Sequence, residues 1–310
     1  MITGATKNKV DDIWQKMWEG GITNPLEVIS QLTYLMFMHQ LDEKEFELER
    51  LESILEVEQR HIFPKSYANA AGIEIPGDEL RWSRFKDKPA ETMYHTVSEF
   101  AFPFIKTLGD GSAFTRSMES ATFGIPTPKT LQRAVDGINE LFESYVDDIS
   151  DLGDLYEYML SKLNTAGTNG QFRTPKHIRD MMVRFIDPKP SQLVCDPAMG
   201  TAGFLISTAE YLRQQYESQM TQADWECYTG TGGDGDPIES PQFTGFEIDQ
   251  TMLRISAMNL MLHGVDMPDV RYLDSISKNN TTRSRYDCIL ANPLRIVTPA
   301  CCLDVEKLVA

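Results

Sequence analysis

The sequence predicts an α/β protein in which an all-α N-terminal domain precedes a domain built on a parallel sheet. Three observations carry this. Up to residue 150, apolar residues recur at helical spacing and nothing alternates with period two for long. From Thr174 onward, short apolar strands alternate with helices, with crossovers long enough for parallel pairing. Between these regions, Thr165 to Gly170 is a Gly-, Asn- and Thr-rich loop suited to a hinge. The division that follows is residues 1–150 as a helical domain, 151–170 as a linker and 171–310 as the α/β domain.

In chain order, Asp11 and Asp12 are placed to cap a helix with Ile13, Trp14, Met17 and Trp18 on one side, ended by Gly20-Gly21. Asn24-Pro25 starts a second helix, apolar nearly all round from Leu26 to Phe37 and so expected to be buried. A third, acidic helix is expected from Asp42 to Gln59, with Leu48, Leu51, Ile54 and Leu55 as its stripe and its Glu residues as a solvated face. Helices are expected at Glu91–Phe102 and Thr130–Asp147, with a turn at Gly124–Pro128, and an acidic helix at Asp148–Tyr158. The α/β part reads as helix Pro175–Phe185, strand Leu193–Cys195, helix Thr201–Gln215, loop Thr229–Pro241 and strand Phe243–Glu247. It continues with helix Thr251–His263, strand Val270–Leu273 and strand Tyr286–Ala291.

Composition narrows the function. The 310 residues carry 46 Asp and Glu against 29 Lys and Arg, a net charge of −17, and most of the excess precedes residue 166. Non-specific nucleic-acid affinity comes from phosphate neutralisation by Lys and Arg, so a chain this acidic is expected to grip DNA only with a partner or a local basic patch. No apolar run approaches the roughly 20 residues of a membrane helix, and residues 1–10 lack a signal-peptide core, which points to the cytoplasm. Five cysteines without a C-x-x-C pair argue against a disulfide framework or structural zinc; Cys195 and Cys288, in strand-like runs, read as buried inert thiols. The five histidines are scattered and read as packing or surface residues.

Three strand ends carry chemistry. In Val194 to Leu205 a buried strand ends in Asp196, and the turn Pro197-Ala198-Met199-Gly200-Thr201-Ala202-Gly203 leads into a helix. Its glycines let the backbone approach a ligand, and ligands in open α/β sheets sit beyond the carboxyl ends of the strands. The G-x-G-x-x-G fingerprint of dinucleotide folds is absent. Glu247 ends the next strand, where an acid can accept both hydroxyls of a ribose. Ile289-Leu290-Ala291 delivers Asn292-Pro293 to the same edge.

In that order these pieces resemble the modification (methylation) subunit of type I restriction–modification systems, an adenine-specific DNA methyltransferase. The resemblance includes Gly170 to Pro175, Asp196 to Leu205, Gly245 to Asp249, Met258 to Gly264 and Ile289 to Pro293, and extends to Leu80-Arg81-Trp82-Ser83 in the helical part. It implies a Rossmann-like S-adenosylmethionine-dependent methyltransferase domain. It also implies that Gln171, Phe172, Arg173, Thr174, Pro175, Lys176, Gly200, Thr201, Ala202, Gly203 and Glu247 line the cofactor pocket, with Asp196 supporting the methionine end. Asn292 and Pro293 would bind the target adenine, without any metal. The implied partners are DNA, a specificity subunit that reads its sequence, and a restriction subunit.

The chain departs from the family in three places. Leu294-Arg295 stands where the family has Pro and an aromatic that stacks on the flipped base, a contact worth about 1–3 kcal/mol. Arg173 replaces the aromatic before Thr-Pro, and Val297 to Ala310 matches nothing in the family. The sequence therefore predicts an incomplete sheet, truncated after Asn-Pro. The alternatives are a catalytically impaired remnant that keeps cofactor or partner binding, and a nucleotide-dependent oxidoreductase.

Overall fold

A computed structural model describes residues 4–56, 60–108, 113–145, 149–165, 174–233, 235–278 and 280–292. The chain splits into two compact units, residues 1–110 with 119–166, and residues 111–118 with 167–310.

In the first unit, α1 (Gly4–Glu19) starts before Asp11 and Asp12, which lie in mid-helix instead of capping it; Asp12 pairs with Lys16 one turn on, at 2.6 Å. Buried Thr6, Val10, Ile13 and Met17 recur every three or four residues and form the core-facing stripe. Helix α2 (Pro25–Leu55) merges the second and third expected helices, since no Gly or Pro interrupts the run. Asn24 caps it by accepting the Leu26 N–H at 3.0 Å.

The acidic half of α2 is not wholly a solvated face. Asp42 and Glu45 are buried. Strands β1 (Ser66–Ala68) and β2 (Glu74–Pro76), a hairpin too short to show a period, and helix α3 (Trp82–Phe85) follow. Asp42 accepts the Arg81 Nε–H at 2.5 Å and the Ser83 N–H at 2.6 Å. Glu45 accepts the Ile62 N–H at 2.7 Å and meets His61 Nδ1 at 2.8 Å. The Arg81 guanidinium also lies 4.4 Å from the centroid of Phe46. Leu80 to Ser83 is thus clamped onto α2 by charge. Asp42→Ala removes the buried acceptor of the Arg81 Nε–H and the Ser83 N–H while Glu49 still pairs with the guanidinium, and is expected to cost about 1–3 kcal/mol, read as a fall in the urea midpoint of this unit.

Helices α4 (Ala90–Thr96) and α5 (Phe102–Ile105) are joined by a π-helical turn, Val97–Ala101, just before Pro103, which has no N–H for the regular ladder. Helix α6 (Ala113–Met118) belongs to the other unit. Helix α7 (Pro128–Tyr145) crosses α1 closely at Gly137, where a Cβ would stand 2.6 Å from Ile13 Cγ1. Helix α8 (Ile149–Thr165) is tied to α2 by a 2.7 Å bond between the Tyr156 and Thr33 hydroxyls. His39 stacks on Phe142 at 3.9 Å, and burial lowers its pKa to about 4, so it packs as a neutral ring.

The second unit contains α9 (Lys176–Ile186), β3 (Val194–Asp196), α10 (Gly203–Tyr216), α11 (Gln222–Thr229), β4 (Phe243–Glu247), α12 (Gln250–Leu262), β5 (Asp269–Tyr272) and β6 (Cys288–Ile289). The sheet order is β5-β4-β3-β6 and every pair is parallel. Val194 pairs with Phe243 on one side and Cys288 on the other, so β3 lies between β4 and β6. Helix α6 packs on α12 and β5, a long-range contact that no division of the sequence near residue 150 anticipates. Helix α11 was not expected; its Thr221/Asp224 capping box is the signal that marks it. Cys195 and Cys288 are buried, and desolvation raises both thiols. No helix among the described residues is long and apolar enough to cross a membrane.

Candidate functional site

The carboxyl ends of β3, β4 and β6 bring three of the predicted side chains to one edge of the sheet. Asp196 ends β3 and is 1% exposed, with Oδ1 accepting the Ala198 N–H at 3.0 Å. Burial pushes its pKa up to about 7, and the charge of Glu247 adds to the rise; the Ala198 N–H and the charge of Arg179 oppose it. Glu247 ends β4. Its Oε2 accepts the Gly200 N–H at 3.0 Å, and its Oε1 accepts the N–H groups of Ile248 and Asp249 at 2.8 and 2.9 Å. Burial raises its pKa against these three bonds. A carboxylate offers about four lone-pair sites, so the loop is latched to Glu247 with acceptor capacity left over.

The loop from Asp196 to Gly203 is held in an uncommon shape. Gly200 has φ +53° and Ala202 φ +65°. A left-handed alanine costs about 1–2 kcal/mol, and here it is fully buried at the start of α10, with no side chain capping that helix. Met199 tucks beneath the loop against Gly245, where a Cβ would lie 2.1 Å from its Sδ. Gly203 lies against the Arg179 guanidinium in the same way.

Asn292, just beyond β6, is exposed, and its Nδ2 donates to Thr174 Oγ1 at 3.0 Å. Its Oδ1 is the acceptor that remains for a ligand. Pro175 is the N-cap position of α9. Lys176 pairs with Glu210 of α10. Thr201 is buried and half-buried Gly200 faces Glu247 through its N–H. Gln171, Phe172, Arg173 and Pro293 lie outside the described residues.

Sequence reasoning did not single out Arg179, Met199 or Asn259. Arg179 is 3% exposed on the same face of α9 as Val183, one turn on. A basic residue on an apolar stripe was the available signal. No cluster of His, Cys, Asp and Glu suited to a metal occurs among the described residues.

Comparison with known proteins gives the same picture. Residues 147–294 match the model of the N-6 DNA Methylase family, and residues 6–138 match that of the HsdM N-terminal domain. The chain is 26% identical over 297 residues to the type I restriction enzyme EcoEI methylase subunit of Escherichia coli, covering 94% of this chain and 56% of that protein. It is 31% identical over 181 residues to the StySPI methylase subunit of Salmonella potsdam, covering 54% of this chain and 32% of that one. The chain thus spans about half, or less, of these relatives. The solved type I restriction-modification system methyltransferase subunit from Streptococcus thermophilus superposes with a TM-score of 0.60 at 17% identity, over 93% of this chain and 63% of that one, and so shares the fold. A helical segment and a parallel-sheet segment matched in succession, with one relative aligned over 94% of the chain, make this chain similar along its length to type I restriction–modification methylation subunits.

Proposed function

We propose that this chain transfers a methyl group from S-adenosylmethionine to N6 of adenine in DNA, as the modification subunit of a cytoplasmic type I restriction–modification assembly. The observation that carries the reading is the placement of Asp196 at the end of the central strand, with Glu247 on one side and Asn292 on the other. In this reading residues 1–150, apart from the α6 stretch that packs with the sheet, are the partner-binding helical domain and 171–310 the catalytic one.

The residues present fit this cofactor. The loop turns tightly at Gly200 and Ala202 and is backed by Met199 packed on Gly245 and Arg179 packed on Gly203, which holds its backbone at the strand ends, and a buried carboxyl at Asp196 suits a cationic amino-acid end. Glu247 would hold the ribose hydroxyls. Exposed Ile248 and Ile276, after β4 and β5, offer apolar surface to a purine ring. When bound, the sulfonium supplies an already activated methyl group.

The protein's task is then alignment and capture of the base. An exocyclic aromatic amine is a poor nucleophile because its lone pair is delocalised, and the adenine must first leave the stack. Asn292 Oδ1 accepts one amine hydrogen and the Pro293 carbonyl the other. That favours a more tetrahedral nitrogen and stabilises the positive charge that develops on it. Holding methyl and amine in line supplies much of the remaining acceleration. A net charge of −17 assigns most of the DNA grip to the specificity subunit.

A thermal-shift comparison tests the reading directly. The 310-residue chain is expected to melt higher with S-adenosylmethionine and not with NAD. A shift with NAD alone overturns the proposal.

A further inference from the structure

The stretch Met258 to Gly264 carries part of the family resemblance, yet it has no role in the site as described. Within it, Asn259 of α12 is fully buried. Its Nδ2 donates to the Thr201 carbonyl at 2.8 Å, reaching across from α12 into the glycine loop. The other end of the same peptide is also tied, because the Ala202 N–H donates to the Met199 carbonyl at 2.8 Å. A peptide plane fixed at both its oxygen and its nitrogen cannot rotate. That plane sets the left-handed backbone of Ala202 and, through it, the direction in which α10 begins.

Stability alone does not account for a carboxamide here. Asn259 Oδ1 is buried and accepts no hydrogen bond among the described residues, and a buried acceptor left unpaired is destabilising. An apolar side chain of similar volume would avoid that cost but leave the Thr201 carbonyl without this donor, so the two residues are roughly balanced in stability. What a leucine cannot do is hold the Thr201 carbonyl.

We propose that Asn259 is a positioning residue for the amino-acid half of S-adenosylmethionine, acting through the Thr201–Ala202 peptide. The inference rests on the cofactor site proposed above. The adenosine half is assigned to Glu247 at the end of β4, which Asn259 does not touch. The two halves of the ligand should therefore respond differently.

The test is a titration of the full chain, wild type and Asn259→Leu, with S-adenosylmethionine and with 5′-methylthioadenosine, which keeps the adenosine and thioether but lacks the amino acid. Affinity for S-adenosylmethionine is expected to fall about tenfold or more in N259L, with methylthioadenosine changed by less than about threefold. The thermal midpoint of the free protein should stay within about 4 °C of wild type. Equal losses for both ligands mean that Asn259 only packs, and overturn the proposal. So does unfolding of both N259L and the smaller Asn259→Ser chain, since Asn259 would then hold the fold and not the loop. If wild type binds methylthioadenosine and not S-adenosylmethionine, the cofactor reading itself fails and takes this inference with it.

Discussion

Asn292→Ala is expected to lower methyl transfer to DNA by about 10²–10³ while leaving affinity for S-adenosylmethionine within about twofold. Asn292 stands beyond β6, on the opposite side of β3 from Glu247, so its carboxamide is remote from the proposed ribose site. Its Nδ2 is committed to Thr174, which orients Oδ1 as the free acceptor. Removing it takes away an acceptor that acts on charge developing at the amine, an interaction stronger in the transition state than in the ground state. The loss therefore falls on turnover and not on cofactor binding. Thr174→Val, which keeps the side-chain shape and loses the hydroxyl, should give an intermediate loss, and Thr174→Ser should restore most of it. The measurement is transfer of labelled methyl to DNA with the specificity subunit present. An N292A rate within about tenfold of wild type would falsify the assigned role.

The second large effect is pH-dependent. Asp196 is buried with a pKa pushed up to about 7, so near neutrality the free protein holds it partly protonated. A ligand with an ammonium group beside it favours the carboxylate, and binding then releases a proton. Observed affinity follows the ionised fraction of Asp196 in the free protein. It should rise about tenfold from pH 6 to pH 8. Above about pH 8 the rise should flatten, because Asp196 is by then ionised in the free protein. Asp196→Asn removes the titrating group and should abolish the slope and weaken binding at pH 8 by about 100-fold, the scale of a charge-assisted bond lost from a buried site. Calorimetry in buffers of different ionisation enthalpy measures the released proton directly. A flat profile in wild type is the result that sinks this account.

Much of the site was legible because it depends on local pattern. A short apolar run ending in an acid reads as a strand end facing a ligand, and Asp196, with glycines after it, and Glu247 end β3 and β4 as that pattern expects. Asn292 was legible only from its order, third after these two strand ends. Long-range pairing was not. Asp42 and Glu45 look like members of a solvated acidic run, and only the folded chain shows Arg81 and the Ile62 N–H covering them. Arg179 looked like an ordinary helix residue, and Asn259, though within the Met258 to Gly264 stretch, carried no sign of what it holds; what distinguishes both is the loop across from them. Strands β1 and β2 span three residues each, too few to establish a period.

Helix α6 has a practical consequence. It lies more than thirty residues ahead of the linker expected at 151–170, yet it packs on α12 and β5, and Met118 at its end is fully enclosed. A clone that starts at that linker therefore omits part of the α/β unit's own wall. Domain-dissection work on this protein should carry the stretch from 113 to 118 along with the sheet, by circular permutation or by co-expression, or accept a product with an apolar wound.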